Sequence, residues 1–134
     1  RQSEMQTILS NTIDTYPFRK KWMIMGDFNC VSPLDEEALT NASGVKDFAI
    51  QSRLLNYYNM VDVIKLRHQE FVSTCRTKKF LEDMGDPNWI TRYDFVYTSQ
   101  DLKNNITNSQ VIKDAYTDTI SDHYPILLEL DNQQ

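Results

Sequence analysis

Three short segments gather the residue types that proton transfer or metal binding requires. In Gly26-Asp27-Phe28-Asn29 an acid and an amide stand two positions apart at the end of an apolar run. If the backbone stays extended, Asp27 and Asn29 project to one side and Phe28 to the other, into a core. A carboxylate so placed can hold a cation or accept a proton from water, and the amide can orient an oxygen without adding charge. The same residue types also make ordinary turns. In Ser121-Asp122-His123-Tyr124-Pro125 an acid and a histidine meet at the entrance to a second apolar run. Histidine titrates near neutrality, so His123 can give or take a proton. The third segment is Arg92-Tyr93-Asp94-Phe95-Val96-Tyr97, where Asp94 interrupts an apolar stretch. A buried carboxylate there needs a partner. A histidine N–H is a natural one, because the acid orients the ring and stabilises its protonated form. The chain's other histidine, His68, lies in a polar setting and reads as a surface residue.

These side chains must be carried by regular elements. Met5, Ile8, Leu9, Thr12, Ile13 and Tyr16 recur at helical spacing and predict an amphipathic helix over 2–15, ended by Pro17. Trp22-Met23-Ile24-Met25 reads as a strand buried on both faces that ends at Gly26 and delivers Asp27. Ser32-Pro33 carries the signature of a helical N-cap, with Asp35 three residues after the cap. A second helix is expected over 46–59, with Phe48, Ile50, Leu54, Leu55 and Tyr58 facing the core. Val61-Asp62-Val63 is its exit segment. Phe71-Val72-Ser73-Thr74 reads as a short strand and 75–91 as a loop with one helical turn, closed by the turn chemistry of Gly85-Asp86-Pro87-Asn88. β-branched and aromatic residues make Tyr93 to Thr98 a strand. Val111-Ile112 and Tyr124 to Leu130 supply two more, the last with Ile126, Leu128 and Leu130 on one face.

The bulk composition limits the classes of function. A chain of 134 residues with 40% hydrophobic residues suits one domain with a real core. No apolar run approaches the roughly 18 residues of a membrane span. The net charge of −5 does not announce a surface for long nucleic acids, although Arg76, Lys78 and Lys79 form a local basic cluster. An acidic balance suits hard cations such as Mg²⁺ and equally a plain solvated surface. Cys30 and Cys75 form no CxxC pair, which argues against zinc. A first residue other than Met points to a processed or shortened chain.

Gly-Asp-Phe-Asn at 26–29, Arg-x-Asp-Phe at 92–95 and Ser-Asp-His-x-Pro at 121–125 together resemble the endonuclease/exonuclease/phosphatase superfamily, the DNase I-like metal-dependent phosphoesterases. Their order and spacing are similar to the C-terminal half of that family's domain. The resemblance implies an α+β fold, a four-layer α/β/β/α sandwich, of which residues 1–134 form about half. It implies hydrolysis of a phosphoester by in-line attack of water, aided by Mg²⁺ or Mn²⁺. Carried over by residue, Asp27 positions or activates the water, Asn29 holds the scissile phosphate, His123 carries a proton or stabilises the transition state, and Asp94 orients His123. Asp122 and Asp27 are the implied metal ligands; Thr74 and Arg92 join Asn29 as implied substrate contacts. The substrate is then a nucleic acid or a small phosphorylated molecule. The family's N-terminal half supplies a metal-ligating Glu with no counterpart here, so the resemblance implies a complementing N-terminal segment or self-association. Half a sandwich also predicts an uncovered sheet face rich in Trp22, Ile24, Phe95 and Tyr97. The alternative is a non-catalytic binding module that keeps the half-fold without the reaction.

Overall fold

The computed structural model describes residues 2–14, 21–38 and 48–132. It is an α+β arrangement built around two antiparallel sheets. Helix α1, Gln2–Asn11, buries Leu9 and leaves Ile8 about half exposed, while Ile13 is buried from the turn that follows, so the apolar face is narrower than its spacing suggests. The helix ends in a turn over 12–14; Tyr16 and Pro17 lie outside the described residues.

Strand β1, Met23–Asp27, pairs antiparallel with β3, Asp94–Thr98, in a register that runs from Met23 opposite Thr98 to Asp27 opposite Asp94. Strand β2, Val61–Asp62, pairs along the other edge of β3. The strand order is therefore β1-β3-β2. This corrects the expectation that 22–25 is buried on both faces: among the described residues β1 is an edge strand, and Met25 is 61% exposed. The central position falls to β3, where Phe95, Val96, Tyr97 and Thr98 are all buried.

The alternation of β3 divides the core in two. Phe95 and Tyr97 face α1 and the second helical segment, joining Leu9, Ile13, Ile50, Leu54 and Met60, with Trp22 and Ile24 packed beside them. The aromatic face expected to be uncovered is thus covered by this chain's own helices. Val96 points the other way, against Val63, Ile64 and Ile106. That second core is closed by a hairpin of β4, Ile106–Val111, and β5, Ile126–Leu130, whose Ile126 and Leu128 pack into it while Leu130 stays exposed. Helices, sheet and hairpin thereby form successive layers.

Other elements refine the sequence reading. The helix expected over 46–59 is a short α2, Ala49–Ser52, that widens into a π turn over Arg53–Tyr57; residues 46–47 lie outside the described set. Asn59, at φ 52°, ends it. Ser32 caps the turn Pro33–Asp35 as expected, its Oγ accepting from Leu34 N. Helix α3, Val63–Arg67, follows β2 directly, capped by the Asp62 carboxylate on Ile64 N and Lys65 N; only an exit segment was expected there. The 71–74 segment forms no strand, because only Cys75 finds a bridge partner. The helical turn expected in 75–91 is α4, Lys78–Met84, stopped by Gly85 at φ 70°, a conformation glycine adopts without strain. A last short helix, α5, is Thr117–Ile120. No described helix is long and apolar enough to cross a membrane.

Candidate functional site

Asp27 ends β1 and Asp94 begins β3, and the register sets them directly opposite each other. Two carboxylates facing across a rung repel unless something positive lies between or beside them. The chain does not stay extended beyond Asp27: Asn29 takes φ 52°, and its N–H donates to Asp27 Oδ1 at 2.8 Å. This turn replaces the strand-like alternation expected for Asp27 and Asn29, and asparagine tolerates it. Phe28 behaves as expected. Its N–H bonds the Tyr93 carbonyl at 2.8 Å, and its ring lies 5.5 Å from Phe95 and 5.8 Å from Tyr97, which anchors the segment from the core side.

His123 arrives from the far end of the chain. It bridges Cys75, and the next residue, Tyr124, donates its N–H to the Thr74 carbonyl at 2.7 Å. Pro125 favours the extended backbone that this docking needs. The ring Nδ1 then lies 2.8 Å from Asp94 Oδ2. A carboxylate only accepts, so Nδ1 carries the proton and Nε2 is the nitrogen left for other work. Side-chain exposures of 30% for His123 and 18% for Asp94 keep the pair reachable yet partly desolvated. Burial works to lower the His123 pKa, but the Asp94 hydrogen bond and the charges of Asp94, Asp122 and Asp27 outweigh it and hold the ring above its ordinary value. Asp27, Asp94 and His123 offer ligand atoms all within 4.8 Å of one another.

The other expected site residues take different places. Asp122 is half-buried; its backbone carbonyl accepts from Thr77 N, and its charge reaches His123, but its carboxylate is not among the three gathered donors. Thr74 is fully buried and serves the site from beneath. Its Oγ1 accepts the N–H groups of Tyr93 and Asp94 while its carbonyl holds Tyr124, so one residue fixes the backbone on both sides of the His–Asp pair. Arg92 is also fully buried and is clamped by Asp35 at 2.6 Å and Asp62 at 2.7 Å, with its guanidinium 4.5 Å from the Phe95 ring centre. Lys65 adds a second cation to Asp35 at 2.9 Å. The structure thus places Arg92 away from any surface that a ligand could reach.

The sequence placed Asp35 after a helical cap and Asp62 in an exit segment, and did not mark either, or Lys65, as part of a buried charge cluster. Asp62 left one signal, an acid between two valines, which implies a buried charge in need of a partner. His68, read as a surface residue, is half-buried with Nε2 at 2.7 Å from the Ser109 carbonyl, a tie between α3 and β4.

No family model matches the chain, and no curated protein does. Solved structures do. One is a 3′-5′ exonuclease, NExo, from Neisseria meningitidis, at 18% identity and a TM-score of 0.70, covering 97% of this chain and 53% of that one. Another is a 3′ phosphatase NExo from Neisseria bound to a product DNA hairpin, at 17% identity and a TM-score of 0.70, covering 97% and 52%. At such identity the likeness is one of fold. The chain therefore shares the fold of a bacterial exonuclease over nearly its whole length, and spans about half the length of the enzyme it matches.

Proposed function

We propose that this chain carries the Asp/His side of a divalent-metal-dependent phosphoester hydrolase of the endonuclease/exonuclease/phosphatase superfamily, in the second half of its four-layer sandwich. The observation that carries the reading is the His123–Asp94 pair, 2.8 Å apart, with Asp27 directly across the rung from Asp94. The likeness of fold to an exonuclease and a 3′ phosphatase supports phosphoester hydrolysis and favours nucleic acid as the substrate.

The donor set fits a hard cation. Asp27 and Asp94 face each other across the rung and gather with His123, and carboxylate oxygens suit Mg²⁺ or Mn²⁺. Asp27 would hold it with Asp94 near, and Asp122, whose charge reaches His123, would add to the field around it. When bound, such an ion offsets charge on phosphate oxygens and makes water a better nucleophile. The chain's own groups do the rest. Asp27 orients the water or takes its proton. Asn29 presents an amide to the phosphate. Nε2 of His123 donates a hydrogen bond or proton where negative charge develops, and Asp94 fixes the tautomer and supports the ring's positive charge. A ligating Glu and further phosphate contacts come, in this reading, from a complementing N-terminal segment or a second chain.

The test uses the full-length gene product, Mg²⁺ and a DNA hairpin ending in a 3′ phosphate. Hydrolysis is expected with Mg²⁺ and not with EDTA. His123→Ala should lower kcat by about 10²- to 10⁴-fold with a nearly unchanged melting curve, since the ring belongs to neither hydrophobic core cluster. Near-normal turnover in that variant would sink the assignment. Binding of the hairpin with no turnover in the native protein would instead support a binding module.

A further inference from the structure

Three basic groups of this acidic chain, Arg76, Lys78 and Lys113, line one cavity outside the Asp/His cluster. The cavity has a volume of about 460 Å³ and lies between α4, the turn after it, and the segments of Ser73 and Tyr124. Leu81, Pro87, Ile90 and the Tyr124 ring give it an apolar floor, while Arg76, Lys78 and Lys113 face a single lining acid, Glu82. In a chain of net charge −5 that local excess runs against the overall balance.

Two of the cations are held ready by groups other than carboxylates. The Arg76 guanidinium lies 4.2 Å from the Trp89 ring centre and 5.2 Å from that of Phe80. Its Nη1 donates to Cys75 Sγ at 3.4 Å, and its Nε is buried with no hydrogen-bond partner among the described residues. Lys113 Nζ donates to the neutral Ser73 hydroxyl at 2.9 Å and sits 4.9 Å from the Tyr124 ring centre. Burial holds this ammonium below its ordinary range, although the charge of Asp118 pulls the other way. A flat guanidinium fixed against rings and a partly desolvated ammonium have met much of the ordering cost of binding before a ligand arrives. Mostly apolar walls with a few convergent charged groups suit a compact organic anion, and the Tyr124 ring among them suits one with a flat part.

We propose that this cavity is a subsite for a nucleotide unit, with the phosphate among Arg76, Lys78 and Lys113 and the base and sugar against Leu81, Ile90 and Tyr124. Tyr124 directly follows His123 in the chain, so the cavity and the Asp/His cluster share one backbone segment. The inference deepens the hydrolase reading and rests on it for the course of a bound strand, but it is testable without turnover.

The experiment titrates the full-length protein in EDTA, where no Mg²⁺-dependent hydrolysis proceeds, and follows backbone amides by NMR. The probes are dAMP, deoxyadenosine, inorganic phosphate and a short oligodeoxynucleotide. dAMP is expected to shift the amides of Arg76, Lys78, Leu81, Lys113 and Tyr124 and to bind about tenfold more tightly than deoxyadenosine or phosphate alone. Lys113→Met and Lys78→Gln should each weaken dAMP by about tenfold; Lys78 is exposed, so its variant keeps the fold. Tighter binding of the oligonucleotide at these same amides identifies a nucleotide within a strand; equal or weaker binding identifies a free nucleotide. No shifts at the cavity, or variants that bind dAMP like the native protein, overturn the subsite whatever the hydrolysis assay shows. Occupancy of the cavity in a protein with no Mg²⁺-dependent cleavage overturns the hydrolase reading and keeps the subsite.

Discussion

His123 and Asp94 form the pair on which the chemistry turns, and its protonation can be read directly. The folded His123 pKa is raised, with burial opposing and the Asp94 hydrogen bond and neighbouring carboxylates prevailing. The stability it contributes is therefore fully present below the unfolded value of about 6.5 and lost as pH rises through the folded value. An NMR titration of the metal-free protein is expected to place the His123 midpoint above 6.5, and Asp94→Asn should bring it down. A midpoint that does not move in the variant would remove Asp94 from its supporting role. Cys75 offers a contrast one residue from the basic cavity. Burial, aided by the charges of Asp122, Asp94 and Asp27 and opposed by Arg76, pushes its thiol up to about 11. The folded protein should leave Cys75 unalkylated at about pH 8, and mass spectrometry after iodoacetamide treatment, with and without urea, checks this.

At the scale of elements, the site depends on a buried charge cluster it does not touch. Arg92, two residues before Asp94, joins β3 to the turn at Asp35 and to the start of α3 at Asp62. Removing the cation leaves carboxylates in the interior, although Lys65 still pairs with Asp35 and two backbone N–H groups still cap onto Asp62. Arg92→Leu should cost about 3 kcal/mol, read as a lowered midpoint in urea at unchanged slope. A loss below about 0.5 kcal/mol would mean that the clamp does not hold these elements together. The residue types disclosed the strand that follows Arg92 but not the partners of its guanidinium. Nothing local distinguishes an arginine bound for phosphate from one bound for two buried acids.

For the whole molecule, the decisive feature is that the chain covers its own aromatic face and leaves a different surface open. α1 and α2 close the face of Phe95 and Tyr97, while the edge strand β1 presents Met25 at 61% exposure. An edge with an exposed methionine is a place for another strand to add. The complement proposed above, or a second copy, should protect the β1 amides from hydrogen exchange. Met25→Lys should weaken that association, as read by the concentration dependence of sedimentation. Unchanged sedimentation and exchange in the variant would place the contact elsewhere.

The chemical vocabulary and much of the local structure were legible in the amino-acid sequence. Asp27 and His123 stood out because they were set at the ends of apolar runs, and Asp94 because it interrupts one. The strand at Tyr93 to Thr98 followed from its β-branched and aromatic residues and the anchoring role of Phe28 from alternation, both local properties. Polar stretches such as Thr107 to Gln110 concealed a strand, because a buried Ser109 that bonds the Val63 carbonyl looks like any surface serine until the hairpin closes. Only the tertiary structure decided that Asp27 faces Asp94, that Thr74 and Arg92 lie beneath the site, and that Arg76 and Lys113 meet at one cavity. Those relations depend on strand register and on contacts between distant segments, where the free energy of burial and charge pairing is shared between residues that no local window contains.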